Sequence, residues 1–533
     1  MAGASSGHVD PTGILVEANL HLADYIIVAP VVVPVLFGAL LLMLRGKTRW
    51  HGQIAILAMA LLALSTGLLL QRVSAEGPVT MTMGRWLPPF GISFSVDIAG
   101  ALLAFVSSLI ALTGAVYAAS TTTTLERRYG FYPFFMLMMA GVSGAFLTGD
   151  IFNLYVWFEV LLISSFGMIV LGSEQRQLDG TMKYAFLNLV ATTLFLIATG
   201  LLYGLLGTLN MADIWQKLNA SGDPGSAARA GPVTTIAILY LLAFSMKAAA
   251  FPLNFWLPAS YHTPKFLVSA LFAGLLTKVG VYSLLRVLLM LFAQERLVLA
   301  DTIAWVAAFT MLAGVFGALA QSEIRRILGY LVISGIGTMM AGLAVGSLTA
   351  ITGLMVYAVH SMIVMTALYL AAGIMARLSQ TSSLSASGGL YAASPWLAAA
   401  FLILAFSVSG LPPTSGFWGK FVLVRASVES GAWWLAFVIL LSGLLTTIAI
   451  FRVWIFAFWR GGPQDTPDGA EAWKVEPLEK AYRQGAFLAL GALVLLTLAI
   501  GLMPEALLST SADAARGLLY PGDYIGSVFG GGQ

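Results

Sequence analysis

The sequence predicts an all-α protein that crosses a membrane many times. Of its 533 residues, 59% are hydrophobic and 10% are charged, whereas a soluble globular chain carries about 25% charged residues. Apolar runs long enough to cross a bilayer recur along the chain. Some of these runs contain prolines or ionisable side chains, which are costly in a bilayer and typical of transport pathways.

Composition also excludes several classes of function. A net charge of +3 is too small to indicate a nucleic-acid partner, and the absence of cysteine excludes disulfides, thiolate-held iron–sulfur clusters and cysteine zinc sites. The five histidines are scattered, and no Walker or dinucleotide-binding loop follows a plausible strand. We therefore expect no cofactor, no metal site and no enzymatic activity in this chain. The first twenty residues lack the basic start of a cleaved signal peptide.

Apolar runs of about twenty residues predict about fourteen spans. The run 396–429 is too long for one straight crossing and contains SGLPPTSG, which predicts a broken helix. Between spans, we expect a short hairpin in 73–96, a flexible connection in 208–232, and a solvated loop with a short amphipathic helix in 461–481. The predicted spans are 23–44, 53–71, 97–119, 131–149, 151–172, 183–207, 233–257, 265–293, 301–321, 324–345, 350–376, 396–429, 432–459 and 482–503.

The distribution of Lys and Arg predicts the orientation. With the N-terminus outside, fifteen of these residues fall in inward loops or at inward span ends, and six fall outside. Positive residues favour the inner face of a membrane. The sequence therefore predicts that both termini lie on the outer face.

The stretch Leu241–Lys265 predicts a polar cavity in the membrane. Lys247 lies inside an apolar run, and Pro252 follows five residues later, with His262 further on. Proline removes a helical hydrogen bond and clashes with the carbonyl four residues back, and broken backbone is tolerated at membrane depth only beside protein or water. The alternative is that Lys247 extends to the membrane surface beside a structural kink.

A second stretch repeats this pattern. Leu242–Trp256 reads LAFSMKAAAFPLNFW, and Leu404–Trp418 reads LAFSVSGLPPTSGFW, with Pro412 and Pro413 at its centre. The copies lie five predicted spans apart, so they would cross the membrane in opposite directions. Inverted repeats with interrupted helices are a recurrent transporter design, although LAFS alone could arise by chance.

Five ionisable residues inside apolar spans are candidates for a proton relay: Glu159, Lys247, Lys278, His360 and Lys420. One carboxylate cannot neutralise three lysines, and a row of such groups suits proton transfer. Besides Lys247, three of them have a structural alternative. Glu159 would be a static partner of Lys247, His360 a hydrogen-bonded core residue, and Lys420 a residue that reaches the surface from a helix end.

Other charged residues have simpler interpretations. Arg286, Arg425 and Arg452 lie nearer to span ends, where a long side chain reaches the membrane surface. Asp97 and Asp150 precede spans, where a carboxylate caps the free amides of a helix.

Four linked motifs resemble those of the proton-translocating antiporter-like subunits found in respiratory complex I, membrane-bound hydrogenases and Mrp-type Na+/H+ antiporters. They are Phe152–Glu159, the broken helix at Lys247–Pro252, the HTP of His262–Pro264 leading into LLTKVGVYSLLR, and SGLPPTSGFWGKF. The resemblance extends from about residue 96 to residue 460. Within the family, GDIFNLYVWFEVLLISSFGMIVLG is most similar to the D-type component of the Mrp antiporter.

The resemblance implies fourteen transmembrane helices, with helices four to eight and nine to thirteen as inverted five-helix units. The first three helices would occupy 1–130 and the two units 131–293 and 301–460, followed by a cytoplasmic loop, a final helix and an outer tail in 461–533. It implies that Glu159 and Lys247 form an ion pair, that Lys278 and His360 continue the path, and that Lys420 ends it. The complex I subunit nearest in size usually has glutamate at the Lys420 position, so lysine favours the Mrp type.

The implied function is proton translocation in a multisubunit antiporter of monovalent cations such as Na+, in a bacterial or archaeal cell membrane. Partners would be other membrane subunits, protons, Na+ and the lipid bilayer. One alternative is a proton-pumping subunit of complex I or a hydrogenase. Another is a stand-alone solute carrier holding an anion at Lys247, which fits less well because the protonatable residues lie on separate helices. A scaffold without transport is poorly compatible with so many buried charges.

Overall fold

The computed structural model describes residues 22–86, 88–219, 226–461 and 477–530. Within this part, eleven helices are long and apolar enough to span a membrane, and three shorter apolar helices complete the predicted order. The predicted class and the count of about fourteen are confirmed. The segments are α1 (Ala29–Met43), α2 (His51–Glu76), α3 (Ile98–Thr121), α4 (Phe131–Leu147), α5 (Ile151–Val170), α6 (Gln175–Leu206), α7 (Ser226–Ala248), α8 (Phe266–Leu291), α9 (Ala300–Ala320), α10 (Ile324–Val345), α11 (Leu348–Ser379), α12 in two halves (Pro395–Ser409 and Ser415–Glu429), α13 (Trp433–Trp459) and α14 (Lys480–Leu502).

Both predicted helix breaks are observed. Helix α7 ends at Ala248 and a short helix resumes at Trp256, while the first half of α12 ends at Ser409 and the second begins at Ser415. In each case a proline stands four residues after the last helical residue. Because its ring would clash with that residue's carbonyl, the helix ends there. The inverted relation of the two units, and their boundaries, stay predictions.

Helices α8 and α11 form the centre of the molecule. The most apolar stretch of each is entirely buried by other helices. Helix α8 is less regular than the sequence indicates, because it contains two π-helical segments, Phe272–Leu276 and Leu285–Leu291. Such segments frequently occur at functional sites.

The hairpin predicted in 73–96 is confirmed as a two-stranded antiparallel sheet. Strands β1 (Val79–Thr82) and β2 (Ser93–Val96) pair with Val79 opposite Val96. Two further helices follow α14: Glu505–Leu519 packs on α3 and α11, and Gly522–Phe529 packs on both strands. The hairpin and the last helix therefore cover one end of the helical bundle together.

The connection 208–232 is more ordered than predicted. Met211–Asn219 forms a helix, and α7 already begins at Ser226. The Asn210 side chain accepts hydrogen bonds from the amides of Ala212 and Asp213, which caps the start of this helix. Residues 220–225 lie outside the described residues. So does most of the predicted loop and amphipathic helix of 461–481, from residue 462 to residue 476.

Candidate functional site

Lys247 lies buried in the last turn of α7, at the first break. Its Nζ lies 5.2 Å from the centre of the Phe158 ring and has no hydrogen-bond partner among the described residues. Glu159 follows Phe158 on α5, and its Oε1 is buried and unpartnered as well. The two charges are near enough to interact electrostatically, but the described residues contain no direct ion pair between them. The pair implied by the resemblance is thus separated in this structure.

The Phe158 ring beside the Lys247 ammonium belongs to an aromatic cluster. Phe158 stacks on Phe244 with ring centres 6.1 Å apart, and Phe195 contacts Phe244 at 4.8 Å. A charge in such surroundings is costly unless it is paired. A charge on Lys247 beside these rings is therefore favourable only when Glu159 offsets it.

Lys278 lies on α8 next to the same break. A Cβ atom on Gly280 would lie 2.8 Å from the backbone nitrogen of Ala248, so only glycine allows α8 this close to α7. The Lys278 Nζ donates to the carbonyl of Ala273 at 2.6 Å. Ala273 belongs to the first π-helical segment, five residues before the lysine. The irregular helix thus supplies a main-chain acceptor for a fully buried ammonium.

His360 connects α11 to both halves of α12. Its Nδ1 lies 2.9 Å from the Ser415 hydroxyl, which lies 2.9 Å from the Ser407 hydroxyl. Gly416 permits this approach, because a Cβ there would lie 2.8 Å from the imidazole Cε1. His360 is within electrostatic range of both Lys278 and Lys420. The two serines were not predicted from the sequence, although both belong to the repeated stretch.

Lys420 turns toward the second break. Its Nζ donates to the carbonyls of Val408 and Ser409, at 3.0 and 2.9 Å. These residues end the first half of α12, where a cation is favoured by the free carbonyls and the helix dipole. The ammonium therefore points into the break, which disfavours the interpretation of Lys420 as a residue reaching the membrane surface.

His262 does not join this row. Arg326 donates to its Nε2 at 3.2 Å, and its Nδ1 lies 2.9 Å from the carbonyl of Pro258. Because a guanidinium only donates, Nε2 is the acceptor and Nδ1 carries the proton. Burial and the charge of Arg326 lower the pKa of His262. His262 ties the segment after the first break to α10, whereas Pro252, Pro412 and Pro413 mark the breaks themselves.

The expectation for Arg286 was wrong. Its side chain is 1% exposed and pairs with Asp97 at 2.7 Å, with the Tyr282 hydroxyl at the same distance. Asp97 also caps α3 through the amide of Gly100, as predicted. The pair joins residues 189 positions apart, so neither local sequence showed the other as its partner.

The remaining predictions have mixed outcomes. Asp150 caps α5 through the amide of Asn153 at 2.8 Å, as predicted. Arg425 is exposed and paired with Glu429. Arg452 instead donates to the final carbonyls of α9, including Leu319. Within the described part of the chain, no three His, Asp or Glu side chains are grouped as metal ligands.

Comparison with known proteins shows the family of this chain. Residues 148–446 match the family described as NADH:quinone oxidoreductase/Mrp antiporter, transmembrane. The chain is 37% identical to the D-type component of the Na(+)/H(+) antiporter of Bacillus subtilis (strain 168), over 94% of this chain and 99% of that protein.

Two solved structures share the fold at high coverage. A chain of the Mrp complex from Dietzia sp. DQ12-45-1b is 29% identical, with a TM-score of 0.86 over 96% of this chain and all of that one. A chain of respiratory complex I from Thermus thermophilus is 26% identical, with a TM-score of 0.78 over 93% of this chain and 99% of that one. This chain therefore belongs to the NADH:quinone oxidoreductase/Mrp antiporter family of membrane proteins.

Proposed function

We propose that this chain is the proton-translocating subunit of a multisubunit Na+/H+ antiporter in a cell membrane. The observation that carries the proposal is the unpartnered Lys247 ammonium, which lies within electrostatic range of the unpartnered Glu159 carboxyl, together with the buried ionisable groups on the neighbouring helices. Relatives that are antiporter subunits over nearly their whole length support the assignment. Other membrane subunits are then the partners, and protons and Na+ the transported species.

In this proposal, protons move along Lys278, His360 and Lys420. When Glu159 pairs with Lys247, it offsets the lysine charge, and Lys278 experiences less repulsion and holds its proton. When the pair separates, the Lys247 charge acts on Lys278 and favours release of that proton. The His360–Ser415–Ser407 chain leads the released proton toward the second break, where the Lys420 ammonium is held by helix-end carbonyls.

The test is the Glu159→Gln variant in the intact complex. It keeps the shape of the side chain and removes its charge, so Na+-dependent dissipation of a pH gradient in everted vesicles should fall to background while the complex still assembles. Glu159→Asp should retain part of the activity, because the carboxylate remains with a shorter reach. Glu429→Gln is the matched control, since Glu429 is an exposed acid paired only with Arg425 among the described residues. Wild-type transport by Glu159→Gln would make Glu159 a structural residue.

A second candidate is a redox-driven proton-pumping subunit, favoured by the likeness to a complex I chain. The two functions differ in what drives them. With the respiratory chain inhibited and an artificial pH gradient imposed, an antiporter still responds to added Na+. A redox-driven pump does not respond to Na+ under these conditions, and that result would assign the chain to a redox-driven complex.

We also propose that both termini lie on the outer face. The chain has no cysteine, so a single introduced cysteine is unambiguous. Arg49 and Arg516 are both exposed, and Arg516→Cys should react with an impermeant maleimide in intact cells, whereas Arg49→Cys should react only after lysis. Labelling of position 49 from outside would reverse the orientation.

A further inference from the structure

A basic cavity lies at one end of the helical bundle, away from the row of relay residues. Its volume is about 530 Å³, and four basic side chains line it, with no acidic residue among the described residues of its lining: Arg176, Lys265, Arg325 and Arg377. They come from the start of α6, the residue before α8, the first turn of α10 and the last turns of α11. The bundle thus concentrates positive charge in one pocket between helix ends.

Two of these cations lack an acidic partner in the described part of the chain. Arg176 pairs with Glu174 at 3.0 Å and Lys265 with Glu126 at 2.5 Å. Within the described residues, neither Arg325 nor Arg377 forms an ion pair. The Arg325 guanidinium donates through Nη1 to the carbonyls of His262 and Pro264, and its Nε is buried without a partner. The cavity therefore has unsatisfied capacity to bind an anion.

Aromatic rings line the same cavity. Arg377 lies over the Tyr482 ring at 5.4 Å, and Arg325 lies over the Phe266 ring at 3.7 Å. Tyr117 and Phe131 complete the aromatic lining. Aromatic side chains concentrate at the level of lipid headgroups, and basic pockets between transmembrane helices bind anionic headgroups.

We propose that this cavity binds the phosphodiester headgroup of an anionic phospholipid, of the phosphatidylglycerol or cardiolipin class. The phosphate oxygens accept hydrogen bonds from Arg325 and Arg377, and the aromatic rings pack on the glycerol and first acyl carbons. A bound lipid joins the ends of α3, α8, α11 and α14. Since α8 and α11 carry Lys278 and His360, the lipid fixes the relative position of the two central helices.

The experiment uses the purified intact complex with a photoreactive phosphatidylglycerol and a matched photoreactive phosphatidylcholine. Labelled peptides are identified by mass spectrometry. The phosphatidylglycerol probe should label segments around Lys265 and Arg377, and the phosphatidylcholine probe should not. Each of Arg377→Gln and Arg325→Gln should lower labelling about fivefold, the usual contribution of one interfacial cation. Arg425→Gln, which neutralises an exposed arginine elsewhere, should leave labelling unchanged.

Several outcomes would overturn the proposal. Equal labelling by both probes would mean non-selective lipid contact, and labelling unchanged by either glutamine variant would place the lipid elsewhere. Displacement of the probe by inorganic phosphate would make the cavity a site for a free anion. Arg377→Lys, which keeps the charge, should retain most labelling and separates charge from folding. Transport by the variants is measured in parallel, so loss of lipid labelling is distinguishable from loss of antiport.

Discussion

The breaks in α7 and α12 close in the same way but hold their lysines differently. In each, a left-handed residue ends the helix, Ala249 with φ 64° and Gly410 with φ 84°. In each, the next amide bonds five residues back, from Ala250 to Ser245 and from Leu411 to Phe406. This is the Schellman arrangement of a helix C-terminus. The backbone of the two breaks is therefore equivalent.

The donors at the freed carbonyls are not equivalent. At the first break, the Trp256 indole donates to the carbonyl of Met246 at 3.0 Å, and Lys247 has no hydrogen bond to any described residue. At the second, Lys420 itself donates to two final carbonyls, and the indole of Trp418 instead reaches Gly501 on α14. One ammonium is thus free to pair with a carboxylate, while the other is fixed to the helix end. The two breaks thus differ in whether the lysine is hydrogen-bonded to the helix end, and the proposed function requires the unbonded one to move.

Replacement of each lysine by methionine gives the largest expected effect. Both Lys247→Met and Lys420→Met should reduce Na+-dependent dissipation of the pH gradient to background, because each removes a member of the proposed relay. Their effects on stability should differ. Lys420→Met leaves two buried carbonyls without a donor, at a cost of about 1–3 kcal/mol, whereas Lys247→Met removes an unpaired buried ammonium.

Thermal unfolding of the purified complex, followed by tryptophan fluorescence, measures this difference. Lys420→Met should lower the midpoint, and Lys247→Met should leave it unchanged or raise it. Equal destabilisation by both variants would mean that Lys247 is anchored as firmly as Lys420, and the contrast between the breaks would be lost.

The Lys420→Arg variant tests whether Lys420 must release its proton or only supply a positive charge. Guanidinium can donate to the same carbonyls, so the complex should keep its stability. It remains protonated and cannot pass a proton on, so transport should fall well below wild type without reaching background. The initial rate of Na+-dependent proton movement gives the comparison, with assembly followed by gel filtration. Wild-type rates with arginine would assign Lys420 a purely electrostatic role.

Much of this arrangement could be predicted because its signals are local. Hydropathy runs predicted the spans, and prolines four residues beyond each helix end predicted the breaks. The lysines and Glu159 were conspicuous because charge is rare in apolar runs. The alignment of the two repeated stretches, by contrast, was predicted with an error of one residue. Alignment of the two LAFS segments places Lys247 opposite Ser409. Alignment of the two left-handed residues, Ala249 and Gly410, instead places Lys247 opposite Val408.

Long-range partners could not be predicted from sequence alone. The side chains of Arg286 and Asp97 meet across 189 residues, and Ser415 contacts His360 across 55. The first π-helical segment of α8 contains one glycine, Gly274, and the second contains neither glycine nor proline, so the local sequence does not distinguish them from ordinary helix. Each of these features depends on the packing of several helices, which a single apolar run does not encode.

The smallest effects should come from substitutions of Gly410 and Ala249, the left-handed residues at which the two helices end. A Cβ atom on Gly410 would approach the Lys420 Cδ to 2.6 Å, and its φ of 84° disfavours any side chain. Gly410→Ala should therefore cost about 1–2 kcal/mol and displace the lysine from its carbonyls. At the first break, Ala249 already bears that backbone cost at φ 64°. Ala249→Gly should relieve it by less than about 1 kcal/mol, because glycine also increases the freedom of the unfolded chain.

The two substitutions should also differ in their transport rates. Gly410→Ala should impair proton movement as well as stability, because it acts through the position of Lys420, whereas Ala249→Gly should leave transport near wild type. The midpoint of thermal unfolding and the initial transport rate are measured for both variants in the same preparation. If Gly410→Ala transports normally despite lower stability, the bond from Lys420 to the helix end is not needed for proton transfer, because the ammonium then functions away from those carbonyls.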